Sequence, residues 1–114
     1  MDELRLVGGT VQAPSFLPDE LIAGWRTYRE AVRLSWLHRR VKAMTLRTLA
    51  ELTESYAPHI SDYLHQDDSP KRRNLPADKI NAWSAVTGNW AVQQWLARQS
   101  KLTFMEEVLA KRAA

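Results

Sequence analysis

Cysteine is absent from this 114-residue chain. Disulfides and thiolate metal sites are therefore excluded, and a reducing compartment is permitted. Long apolar runs are absent too; none approaches the roughly 20 residues that a membrane span needs. The first fifteen residues lack the basic start and apolar centre of a signal peptide. A cytoplasmic protein with no membrane contact is the expectation. Glycine is scarce, at four residues, and Gly8-Gly9 is only a pair, without the rest of a phosphate loop or dinucleotide fingerprint. His38, His59 and His65 with Asp62, Asp67 and Asp68 match no metal-ligand spacing. Ser61 has no evident base or oxyanion partner. Glu106 and Glu107 are neighbours on a helix and so do not face each other. No enzyme activity, cofactor, metal or small-molecule ligand is expected. Internal repeats, low-complexity tracts and useful strand-like alternation are also missing.

What is present is helical period. With 45% hydrophobic residues and five Trp, one domain of this length can build a core with a large aromatic share. The expected fold is all-α, a compact bundle of five to six helices. Residues 1–17 form an N-terminal arm, with Leu4, Leu6 and Val7 extended. Residues 18–114 form the domain. Pro18-Asp19-Glu20 reads as a helix start. Leu21, Trp25, Tyr28 and Val32 then fall on one face, with Arg26, Arg29, Glu30 and Arg33 opposite. The period runs on to Ala43, as one helix or as two with a bend near Ser35. Leu75-Pro76 restarts a helix that carries Ile80 and Trp83 inward and closes at Gly88. Asn89 caps a helix over Trp90 to Arg98. Thr103-Phe104-Met105-Glu106 reads as a capping box that opens a last one.

The centre of the chain is Thr45 to His65. Leu46, Leu49, Ala50 and Thr53 fall at i, i+3, i+4 and i+7 behind a Thr45 cap. Ile60, Tyr63 and Leu64 repeat the spacing, and Pro58 suits the first turn of that second helix. Basic residues gather on both sides. Arg26 to Arg47 holds seven against one acid, and Lys71-Arg72-Arg73 follows in a polar loop. Such a distribution is the footprint of phosphate contacts.

Thr45, Leu49-Ala50 and Ile60-Ser61 stand where the lambda-repressor and Cro-like helix-turn-helix superfamily has its cap, its Leu-Ala and its aliphatic-Ser pair. The segment resembles that superfamily over about 21 residues. The layout from Tyr63-Leu64-His65 through Leu75-Pro76 to Val86-Thr87-Gly88 is similar to phage CII-type regulators. The chain departs from the pattern at the turn, where Glu54 replaces Gly and Ser55 replaces a hydrophobic residue. A left-handed Glu54 costs about 1 kcal/mol relative to Gly. The expectation is a lengthened turn with Tyr56 as its buried anchor.

The resemblance implies a helix-turn-helix within the bundle and a transcriptional regulator of phage or mobile-element type, a repressor acting as a homodimer on double-stranded DNA. It implies that Tyr56, Ala57, Pro58, His59, Ser61 and Asp62 present the reading turns. Ala57 and Pro58 suit a thymine methyl, His59 and Ser61 bases or backbone, and Asp62 a cytosine amino group. Arg47, Lys71, Arg72 and Arg73 are placed for phosphate. The alternative is a protein-interaction module, such as an antirepressor or antitoxin, in which Glu54 and Ser55 mark a lost reading function.

Overall fold

The computed structural model describes residues 3–6 and 9–113. The expected all-helical bundle is present. Its helices are α1 (Asp19–Ala23), α2 (Tyr28–Leu37), α3 (Leu46–Leu52), α4 (Ala57–Tyr63), α5 (Ile80–Thr87) and α6 (Ala91–Ala113). A short 3-10 turn, Ala77–Lys79, leads into α5. The extended arm is a two-stranded antiparallel ribbon, β1 (Glu3–Leu6) and β2 (Gly9–Gln12), with Leu4 opposite Val11. Four-residue strands were too short for alternation to reveal them. Val7 lies outside the described residues.

The segment before the two central helices differs from expectation. Gly24 stops α1, and the chain re-enters a helix at Tyr28 after an extended Thr27. The Thr27 hydroxyl accepts from the Glu30 N–H, and the Glu30 carboxylate reaches back to the Arg26 N–H at 2.7 Å. This reciprocal cap fixes the bend at residues 24–27, not near Ser35. Helix α2 also ends at Leu37, short of Ala43. Cationic side chains take over its last carbonyls: Arg39 donates to Trp36 O and Lys42 to Leu37 O. Both also offset the negative end of the helix dipole.

The end of the chain is simpler than expected. Helix α6 runs unbroken through Thr103, so no new helix opens there. The Thr103 hydroxyl donates backwards to Gln99 O at 3.0 Å, the bond a mid-helix Thr makes. No Gly or Pro interrupts this stretch. Upstream, Gly88 adopts φ 81° as the left-handed C-cap of α5. The Asn89 side-chain oxygen then accepts from the Ala91 N–H.

Two apolar clusters hold the helices. The larger surrounds Trp83 and joins Val32 and Trp36 of α2 to Leu49, Ala50, Ile60, Tyr63, Leu75 and Val92. The smaller joins Ile22, Trp25, Ala31, Ala91 and Trp95. Tyr28 and Leu96 pack against both. The polar groups around Ser35 are paired. The Trp83 indole donates to the Ser35 hydroxyl at 2.7 Å, and the Asn89 amide to Ser35 O at 2.9 Å. Such bonds satisfy groups whose burial alone is costly. The arm is also docked: Ser15 pairs with the chain around Asn89, and the Gln94 side chain bonds both N–H and C=O of Leu17.

Candidate nucleic-acid interface

Helices α3 and α4 pack on each other, joined by four residues, Thr53 to Tyr56. Thr45 caps α3 as expected; its hydroxyl accepts from the Thr48 N–H. At the far end Glu54 adopts φ 52°, so the glutamate takes up the left-handed conformation itself. The turn is not anchored by Tyr56, which is 65% exposed. Its anchor is Thr53, 2% exposed. The Thr53 hydroxyl donates to Leu49 O at 2.7 Å and lies 2.9 Å from the Ser55 hydroxyl. A short polar pair thus does the work expected of a buried ring. Lys79 clamps the turn from the other side, donating to Thr53 O at 3.0 Å and Glu54 O at 3.1 Å. The sequence put Thr53 on the apolar face of α3 without marking it as an anchor, and Lys79 did not stand out, because its partners are backbone carbonyls fixed only by the fold.

Helix α4 is two-sided. Ile60 and Tyr63 are buried in the Trp83 cluster. Tyr56, Ala57, Pro58 and Ser61 are exposed, and His59 and Asp62 are half-buried. The alternation follows from helical spacing: 60 and 63 share a face, and 57, 58 and 61 lie on the other. The His59 ring meets Tyr56 edge-on, with centroids 4.9 Å apart, and lies 6.5 Å from the Tyr63 ring. This stack fixes the imidazole next to the exposed tyrosine.

The loop after α4 is held by a side chain placed above on the face opposite the apolar one. Arg29 is 3% exposed. Its guanidinium donates to Asp62 O, the Asp68 carboxylate (3.1 Å) and the Asn74 amide oxygen (2.9 Å). Three partners from one planar fork is geometry that arginine supplies and lysine does not. The spacing of Arg26, Arg29 and Arg33 could not single out Arg29, since its acceptors lie 33 to 45 residues away. Arg72 pairs with the Asp62 carboxylate at 3.2 Å. One Asp62 carboxylate oxygen is therefore engaged in an ion pair. Lys71 and Arg73 are exposed. Burial pushes the Tyr63 phenol above its ordinary pKa, and the Arg73 cation pulls the other way.

The seven basic residues between Arg26 and Arg47 do not form one exposed stripe. Arg29 is buried. Arg39 lies over the Trp36 ring at 4.1 Å. Arg40 donates to Ala13 O and Gly88 O, holding the arm against the α5 cap. Lys42 closes α2. Basic side chains suit these places because each ends a helix or meets carbonyls. Arg47 is the one of the seven on the two-helix unit. Its side chain is almost fully exposed, with Glu51 one turn away at 3.4 Å.

Comparison with known protein families, curated proteins and solved structures finds no match to this chain.

Proposed function

We propose that this chain is a sequence-specific double-stranded DNA-binding regulator of transcription, a repressor of phage or mobile-element type that acts as a homodimer on an operator. The observation that carries the reading is the outward face of α4. Its first turns present Tyr56, Ala57, Pro58 and Ser61 to solvent, while Ile60 and Tyr63 fix them to the core. Exposed Arg47 stands at the start of α3, and Lys71 and Arg73 stand in the loop beyond α4. In the proposed complex the start of α4 enters the major groove. Ser61 and His59 hydrogen-bond to base edges, Tyr56 and Ala57-Pro58 offer apolar contact to thymine methyls, and the three cations hold phosphate. Arg72 contributes by neutralising Asp62, which otherwise repels the backbone. One short helix discriminates little. Two related by symmetry, about 34–36 Å apart, read a palindrome and block polymerase.

Selection of bound sequences from random duplexes, with single variants, tests the roles. His59→Ala should change the preferred sequence. Arg73→Ala should weaken binding to all duplexes alike. Three phosphate contacts per protomer give six per dimer, so log affinity should fall against log salt with a slope of about −5. Between 50 and 200 mM salt the loss is then about a thousandfold. Salt-independent capture of a protein, with no duplex binding, identifies the interaction module instead.

A further inference from the structure

Helix α6 is 23 residues long, but only its first part has a partner. Ala91, Val92 and Trp95 are buried, whereas every residue from Ser100 to Ala113 is exposed. A helix of that length is marginal in water when nothing packs on it. Its free surface is also not polar. Phe104 is 71% exposed and Leu109 62%; Leu102, Met105 and Val108 are each about half exposed. Spacings of three and four put Phe104, Met105 and Val108 on one stripe, flanked by Leu102 and Leu109. The stripe amounts to roughly 400–500 Å², within the range of the largest patch on a monomer. Covering two such stripes with their rims removes about 1,000–1,200 Å², near the lower limit for a specific interface.

We propose that this stripe is covered by the same stripe of a second copy, with the two helices antiparallel and crossing near Thr103. The reading above supplies the need for two copies, and on that point the proposal rests on it. The choice of occupant comes from the order of charges. Along α6 stand Arg98 and Lys101, then Glu106 and Glu107, then Lys111 and Arg112. A parallel, in-register pair sets each charge against itself. An antiparallel pair centred near Thr103 sets Arg98 and Lys101 beside the partner's Glu107 and the partner's Glu106. Like charges opposed across a helix pair are what fix orientation in such assemblies. The same crossing carries the partner's Arg112 to the level of Gln94. There a crevice of about 320 Å³, which includes Phe16, Asp19, Gln94 and Arg98, opens beside the stripe. The groove over Phe104 and Met105 and this crevice share Ala97 and Lys101, so they form one continuous surface. The overlap of about 19 residues is close to 30 Å long.

Sedimentation equilibrium of the full chain at micromolar concentration tests this. The wild type should have about twice its 13.1 kDa chain mass. The double variant Phe104→Glu, Leu109→Glu should be monomeric, its dissociation constant raised at least about 100-fold, as expected for the centre of an interface. Near-ultraviolet dichroism of the buried tryptophans should stay unchanged, since neither residue touches the core. Lys101→Glu should weaken the dimer, and Glu106→Lys in the same chain should restore it, because each copy supplies both members of the pair. With no natural cysteine, an introduced one is the only thiol. Leu102→Cys, near the crossing, should cross-link to its copy on oxidation, and Arg112→Cys should not. A monomeric wild type, a double variant that stays dimeric, or equal cross-linking of both cysteine variants overturns the proposal. A dimer that binds no duplex leaves this surface standing and rejects the regulator. A monomer that binds duplex does the reverse.

Discussion

Replacing Glu54 by glycine should stabilise the protein, although it deletes a side chain and gains no contact. Glu54 holds φ 52° in the turn between α3 and α4. For a residue with a Cβ that conformation costs about 1–2 kcal/mol. Glycine adopts it freely but loses about 0.5–1 kcal/mol more backbone entropy on folding. The difference favours glycine by about 0.5–1 kcal/mol. The turn keeps its other supports, because Lys79 bonds the backbone carbonyls of Thr53 and Glu54 and not the carboxylate. At this chain length the gain is a rise of about 2–4 °C in melting temperature. Urea unfolding should show a higher midpoint at an unchanged slope. Glu54→Ala separates charge from conformation: it removes the carboxylate, keeps the Cβ and should stay within about 0.3 kcal/mol of the wild type. A Glu54→Gly variant no more stable than Glu54→Ala would refute the claim that the turn is strained.

Three further perturbations address the supports of the proposed interface. Arg29→Met should cost about 2–3 kcal/mol, less than a fully buried ion pair because the Asp68 carboxylate is half exposed and becomes hydrated; hydrogen exchange should show faster opening of residues 66–74. Gly88→Ala should cost about 2 kcal/mol or more in denaturant unfolding, since the residue has φ 81° and a Cβ there meets Arg40 Cβ at 2.8 Å. The Tyr28 phenol, which donates to Leu75 O, is pushed up to about 12, chiefly by burial and then by Tyr63. An unfolded chain releases that proton from pH 10 upward while the folded chain keeps it, so stability should fall between pH 10 and 12, by at most about 2–3 kcal/mol. Tyr28→Phe should flatten that slope in urea titrations across the range, at the expense of the bond to Leu75.

Much of the helical framework was legible because its signals are local. The Thr45 cap, the Pro58 start, the Gly88 stop and the buried faces of α3 and α4 all depend on residues within one or two turns. Where those signals misled, a neighbouring one was stronger. Gly24 and the Thr27–Glu30 cap bend the chain ahead of Ser35, and the Thr103 motif fails inside a helix that has no reason to end. The exposed part of the candidate interface was equally readable: helical spacing alone separates Ala57, Pro58 and Ser61 from Ile60 and Tyr63.

The sequence by itself determined that the chain is helical, several of the helix starts and stops, and the buried faces of α3 and α4, since backbone preference and side-chain period act over a few residues. Only the tertiary structure decided which like-looking side chain does what. It buried Arg29 while leaving Arg47 in solvent, paired Arg72 with Asp62, turned Tyr56 outward in favour of Thr53, and left the far half of α6 uncovered. Each outcome depends on partners that are distant along the chain, or on partners the chain does not provide. A pattern of residue types carries no record of which partners meet.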